Sequence, residues 1–424
     1  MYRNKGTITV FLSLISMLFL SLFCTMAESV RVQAARFQAA AAFDMGLFSI
    51  FGEYDRVLLE EYDLWFLDGS SEEQKIREVL ETKLEKYIQP NINPRYNLAA
   101  GRSWDVFPTE LDRCTVDKYA LATDHGGQVF YSQAVENQKE LFVGEAASAL
   151  KKNIKQMEEG HQKGEEYQNE EQKADEEYQR AQAAQMEEKK RQESEKENAE
   201  KQEKSDTDIK ETEAVQAKVE NPLDQIKKIK SMGILGLVLK DGTVFSDKTI
   251  ERKNLPSERN LQKGSLLVNE ISADPVSEAI FLNYLQKHFQ CAIDEGGKHQ
   301  KGSKEHSLSY ELEYIIGGQK SDRENLKKTV NRILLIREGM NYATLAKSAK
   351  MRGEAMALAA AITGAAALPE FAGALQKLLM LAWAYGESLL DVRTLLAKGK
   401  VPMLKAETEW KLPLEKLGML AEVL

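Results

Sequence analysis

Cysteine is scarce: three occur in 424 residues, Cys24, Cys114 and Cys291. They are too few and too scattered for a disulfide scaffold, and a structural zinc site needs paired ligands at short spacing. Positive charge is also in deficit. The 57 Lys and Arg stand against 66 Asp and Glu, a net charge of −9, which excludes a general basic surface for nucleic acid. The five histidines, His125, His161, His288, His299 and His306, form neither HExxH nor a pair at ligand spacing on an evident helix. No GxSxG elbow occurs, so serine-hydrolase chemistry has no local support. The stretch GKHQKGSK lacks the adjacent Gly-Lys-Ser/Thr of a phosphate loop and reads as a surface loop. Of the paired carboxylates, Glu60 with Glu61 carries no further signal. Glu311 and Glu313 stand two apart on a predicted strand and share its solvent face. Asp68-Gly69 and Asp241-Gly242 are turn residues. The sequence thus predicts a non-enzyme, with no catalytic residue, no metal ligand, no cofactor site and no small-molecule substrate.

What is present begins with apolarity. Thr7 to Ala27, TITVFLSLISMLFLSLFCTMA, is 21 residues without a charge. As a helix it spans roughly 30 Å, the thickness of the hydrocarbon layer. Arg3, Lys5 and the terminal amine precede it, so the positive-inside bias predicts a single-pass protein of the cell membrane, with residues 1–6 cytoplasmic and the bulk extracytoplasmic. The competing reading is a cleavable signal peptide, with Thr25 and Ala27 as the small-residue site. Against cleavage, the run exceeds the usual signal core and continues into a helix-favouring stretch with no breaker. Cys24 reads as an apolar membrane residue. Glu28 and Arg31 mark the water interface or pair with a neighbouring subunit.

Residues 28–62 carry an apolar stripe: Val30, Ala34, Phe37 and Ala41, then Phe43, Leu47, Ile50, Tyr54 and Leu58. An unbroken helix from Thr7 to Tyr62 is about 84 Å long, the shape of a pilin-like stalk. An anchor followed by an ordinary core helix fits the same stripe, and Gly46 and Gly52 allow a break.

The expected fold class is α+β, mostly helical. Residues 63–150 read as a small α+β unit: DLWFLDGSS and RCTVDKYALAT as strands, and EEQKIREVLETKLEKYI as a helix with Ser71 and Gln74 as its capping box and Pro90 and Pro94 as its end. VFYSQAVENQKELFVGEAASALKKNIKQM reads as a second helix. Half of the positions in 151–220 are charged, 14 Lys or Arg and 21 Asp or Glu of 70, with no Pro, Trp or Cys. That composition predicts a spacer without a core, helical or disordered, in which Tyr167, Ala174, Tyr178 and Ala181 only hint at a seam. Residues 221–320 read as a second α+β unit, with a hairpin in MGILGLVLKDGTVF, a helix opened by Pro275, and a strand in HSLSYELEYIIGG on the alternation Leu308, Tyr310, Leu312, Tyr314. Residues 321–424 read as helices, with Ala355 to Leu368 a buried helical hairpin too short to cross a membrane. The close, LGMLAEVL, is apolar without a polar tail, as in a piece of a longer chain.

The opening KGTITVFLSLISMLFLSLFCTMAESVRVQAARFQAAAAFDMGLFSIFGEYDRVLLEEYDLWFLDGS, together with LSYELEYIIGG, NRILLIREGMNYATL and AWAYGESLLDVRTLLAKGKVPMLK, resembles an uncharacterised family of Gram-positive membrane proteins. That family is similar to the TadE/TadG pseudopilin-like proteins of tight-adherence (Flp) pilus systems. The resemblance implies a non-enzymatic, extracytoplasmic assembly component. Its partners would be membrane lipid and other pilus or secretion-system subunits, met through the N-terminal helix. One departure stands out: type IV pilins carry glutamate at the fifth position after the processing glycine, and counted from Gly6 that residue is Phe11. The alternative from another class is a membrane-anchored sensor or ligand-binding module.

Overall fold

The structure is a computed structural model. It describes residues 5–69, 76–92, 96–98, 102–104, 109–139, 145–200, 222–239, 246–251, 253, 255, 263–266, 274–293, 306–365 and 371–423. They belong to two compact units, the first Met1–Leu141 with Leu261–Ala273, the second Phe142–Asn260 with Asp274–Leu424. The architecture is helical, which overturns the expected α+β units. Regular strand among the described residues is confined to β1 (Tyr96–Leu98) and β2 (Arg102–Trp104), paired antiparallel, and neither falls where a strand was predicted.

In the first unit, α1 (Lys5–Phe51) is one helix of 47 residues, about 70 Å long. The predicted rod to Tyr62 breaks at Gly52. Asp55 then caps α2 (Arg56–Tyr62), its carboxylate accepting the N–H groups of Val57 and Leu58 at 2.9 and 3.1 Å. Gly46 does not break α1. It admits a neighbour instead, since a Cβ there would lie 2.5 Å from Ile88 Cγ1 of α3 (Ile76–Ile92). Around that approach Ala42, Ile50, Leu84, Ile88 and Ile92 bury one another, with Ala39 and Leu47 alongside. The single stripe read from sequence is therefore two faces. Phe37 and Phe48, opposite the α3 contact, are 76% and 80% exposed.

Pro90 lies inside the last turn of α3 rather than ending it. Ser71, Gln74 and Pro94 lie outside the described residues. Of the predicted strand DLWFLDGSS, whose residues 70–71 lie outside the described residues, the rest shows only an isolated bridge, Tyr54 to Leu67. RCTVDKYALAT runs along α3 as irregular chain, because side chains satisfy its backbone: Glu85 accepts the Cys114 N–H, Glu81 accepts the Val116 N–H, and Arg77 Nε donates to the Val116 carbonyl. The long predicted helix after Gly127 is helical over α4 (Gln128–Lys139) and from Glu145 on in α5 (Glu145–Glu200), with 140–144 outside the described residues.

In the second unit, α5 corrects the reading of the charged segment most sharply. Residues 201–220 lie outside the described residues, but the rest of 151–220 is helix with a buried seam. Tyr167 and Ala174 are buried, Tyr178 packs beside them, and the Tyr167 hydroxyl donates to the Leu381 carbonyl at 3.1 Å. The charges line the faces turned to solvent. The seam lies on α10 (Asp322–Lys347) and on α12 (Ala372–Leu396), the central helix, buried almost continuously from Leu378 to Leu389. Met351, Ala355 and Ala359 of α11 (Ala349–Ala365) pack on α12 from another side. Short helices α6 (Pro222–Ser231) and α7 (Ile234–Val238) close the cluster, and α7 stands where the first arm of a hairpin was predicted. Asp241-Gly242 lies outside the described residues.

Pro275 opens α8 (Pro275–His288) as predicted, with Asp274 as its cap. The predicted strand HSLSYELEYIIGG is instead a loop followed by α9 (Glu311–Gly317). Its backbone leaves the strand path because buried Asp322, at the start of α10, accepts the N–H groups of Ser309 and Tyr310 at 2.9 and 3.2 Å. The chain ends in short 3-10 turns and α13 (Leu420–Val423), with Leu412, Leu414, Leu417 and Leu420 in the core.

Candidate functional site

The residues singled out in sequence do not assemble into one site. Glu28 and Arg31 form an exposed ion pair of 3.7 Å on successive turns of α1. Glu60 and Glu61 lie together on α2. Glu311 and Glu313, placed in sequence on a strand, sit in the first turn of α9. There Glu311 accepts the Gln290 N–H and meets His306 Nδ1 at 2.6 Å, while Glu313 accepts the Ala292 N–H. Both hold the 290–292 segment. His161 faces Glu165 on the surface of α5, His288 is buried beside the Tyr284 ring, and His125 occupies a left-handed turn. His299 and the GKHQKGSK loop lie outside the described residues. Among the described residues no three His, Cys, Asp or Glu gather as a metal would require. The three cysteines form no disulfide. Burial and the Glu85 and Glu81 carboxylates push the Cys114 thiol up, away from the nucleophilic thiolate.

The chemistry that sequence reading missed is inside the second unit. Arg337 and Asn341 are one turn apart on α10, the adjacent Glu387 and Ser388 lie one turn before Asp391 on α12, and Lys405 follows α12 in an irregular segment; all are buried. Two anions meet two cations, so the group is neutral as a whole. Asp391 Oδ2 accepts three donors: Arg337 Nη2 at 2.7 Å, Arg337 Nε at 3.0 Å and Asn341 Nδ2 at 3.0 Å. Arg337 Nη1 donates on to the carbonyls of Pro402 and Met403, at 2.9 and 3.0 Å. Glu387 accepts the Lys411 N–H on both oxygens at 3.1 Å and the Leu412 N–H at 2.8 Å. Lys405 Nζ sits between the two carboxylates, in contact with Glu387 Oε1 and Asp391 Oδ1. Only the first contact has hydrogen-bond geometry, and Asp391 Oδ1 has no hydrogen bond among the described residues. The Trp410 ring lies 5.8 Å from Lys405 Nζ and edge to face with Trp383 at 5.7 Å, and Trp383 Nε1 donates to the Leu412 carbonyl at 2.6 Å. A signal was available: Glu387 and Asp391 are four apart within a mostly apolar stretch, and Arg337 and Asn341 are four apart on one helix face.

A second polar cluster adjoins the first. Burial pushes the Glu338 carboxyl up to about 8; the Lys230 ammonium pulls it down and the Glu171 carboxylate pushes it further up. Lys230 pairs with Glu171 and lies over the Tyr385 ring at 4.7 Å. Burial and Glu338 raise the hydroxyls of Tyr167 and Tyr385 in turn. Both clusters fasten helices to one another.

One described helix is long and apolar enough to cross a membrane: α1, whose apolar stretch is wholly unburied. No curated protein and no solved structure matches the chain. Residues 212–424 match a family of unknown function, DUF5702, a span that takes in Arg337, Asn341, Glu387, Asp391 and Lys405. With half of its length matched, the chain belongs to the DUF5702 family.

Proposed function

We propose that the protein is a non-catalytic assembly component held in the cell membrane by α1, with residues 1–6 in the cytoplasm and both helical units outside. The finer reading is a pseudopilin-like part of a tight-adherence type pilus or a related secretion system. It would act by helix association along α1 and by contacts of its helical units. The observation that carries this reading is the two-faced continuation of α1 beyond the lipid-length stretch. Ala42, Gly46 and Ile50 pack on α3, while Val30, Phe37 and Phe48 stay exposed. A helix that leaves the bilayer straight carries Phe48 about 30 Å past Ala27, beyond the reach of lipid. Apolar rings at that distance from the bilayer need a protein partner to cover them. Glu311 and Glu313 support the non-catalytic part, since both are engaged in holding backbone.

Site-specific photo-crosslinking on intact cells tests the reading. Probes at Phe37 and Phe48 are expected to capture other membrane-anchored subunits, and a probe at Ala42 only this chain's own α3. Equal capture at all three positions, or none at Phe37 and Phe48, contradicts it.

A further inference from the structure

We propose that the folded protein joins Lys405 to Asp391 through an intramolecular isopeptide bond, with Glu387 carrying the protons. The Lys405, Glu387 and Asp391 side chains are each 1% exposed or less, and Lys405 Nζ touches both acids. The two acids are held differently, and the difference assigns their roles. Each Glu387 oxygen accepts backbone N–H, from Lys411 and Leu412, an arrangement that fixes its direction. Asp391 is held unevenly across its carboxyl group: Oδ2 takes three donors from Arg337 and Asn341, while Oδ1 takes no hydrogen bond among the described residues and faces the lysine. Those three donors form an oxyanion hole assembled before any reaction. The lysine nitrogen thus touches both the acid to be acylated and the proton carrier, with the Trp410 ring 5.8 Å from it.

The step balances without a co-reactant. One proton of the Lys405 ammonium passes to Glu387, the acid it meets with hydrogen-bond geometry, and from there to Asp391 Oδ1. The freed amine attacks Asp391 Cγ, the N–C bond forms, and negative charge gathers on Oδ2 under Arg337 and Asn341. Glu387 takes a second proton from the nitrogen and delivers it to Oδ1, the C–Oδ1 bond breaks, and water leaves. Of the three ammonium hydrogens, one stays on the amide and two depart in the water. Arg337 and Glu387 remain as one cation and one anion, so the pocket stays neutral. The product ties the last turns of α12 covalently to the segment that follows it.

Full-length protein purified in detergent is digested and its peptides are weighed. The expected result is a branched species joining the Lys405 peptide to the Asp391 peptide, lighter than their sum by one water. Asp391→Asn should give the same branch lighter by one ammonia, while Lys405→Arg and Glu387→Gln should give linear peptides only. Linear Lys405 and Asp391 peptides from the unaltered protein overturn the proposal, and so does a branch through Glu387. The unaltered protein decides the matter even where a variant fails to fold.

Discussion

Gly339 of α10 and Gly164 of α5 meet backbone to backbone. A Cβ at position 339 would stand 2.3 Å from the Gly164 nitrogen and 2.3 Å from the Lys163 carbonyl carbon. The charged helix is seated on the core by this crossing, because only hydrogen at position 339 lets the two backbones approach so closely. Gly339→Ala is expected to lower the unfolding free energy by about 1–3 kcal/mol, the usual cost of overpacking where neither backbone yields. Denaturant titration of the purified protein measures it, and an unchanged midpoint would mean that α5 is not seated there.

Arg337 serves Asp391 and two carbonyls at once. Removing it leaves the buried Asp391 Oδ2 short of two donors and the remaining buried charges unbalanced, so Arg337→Leu is expected to cost about 3–5 kcal/mol. The pair Arg337→Leu with Asp391→Leu should cost clearly less than the sum of the two single changes, since no unpaired charge then remains. An additive cycle would refute the coupling.

Glu338 makes stability depend on pH, with a definite sign. Below its ordinary value of 4.5 both folded and unfolded chains hold the proton. Between there and about 8 only the folded chain does, so stability falls by up to about 1.4 kcal/mol for each unit that the pH rises, and the loss is complete above about 8. Glu338→Gln should flatten that slope and make the protein more stable than the parent at pH 8. Lys230→Met removes the cation that pulls the carboxyl down and should carry the slope to higher pH. Thermal melts across pH 5 to 9 check both, and a parent slope that survives in Glu338→Gln would contradict the assignment.

Leu18 lies near the middle of the apolar run in α1 and is 71% exposed. Leu18→Arg should reduce membrane insertion by about 2.5–3.5 kcal/mol, read as the fraction of chains inserted in a translocation assay. Insertion unaffected by the arginine would argue against a spanning role.

The parts of this fold legible in sequence were those with long period and clear caps. Helices α10 and α12 followed from sustained apolar spacing, and Asp274-Pro275 announced the start of α8, whereas Ala355 to Leu368, read as a buried hairpin, is up to Ala365 part of the single, largely exposed helix α11. Short apolar runs misled. Leu308, Tyr310, Leu312 and Tyr314 alternate like a strand, yet the first two lie in a loop pinned by Asp322 and the last two in α9. Over so few residues, period two and period 3.6 are not separable. In α5, composition hid position: charges on the wet faces outnumber the seam, although Tyr167, Ala174 and Tyr178 keep helical spacing and Gly160 with Gly164 marks a close approach. The buried ion group was illegible as a group because Arg337, Glu387 and Lys405 come from three distant segments. Its halves, each a polar pair four residues apart on an apolar face, were there to be seen.

Protease treatment of intact cells carrying a tag after Leu424, with the membrane fraction washed in alkaline carbonate, tests the membrane assignment most directly. The expected outcome is a chain that stays in the washed membranes through α1 and loses its tag to protease added outside. A full-length chain released by the wash, or a tag protected until the cells are opened, would contradict it.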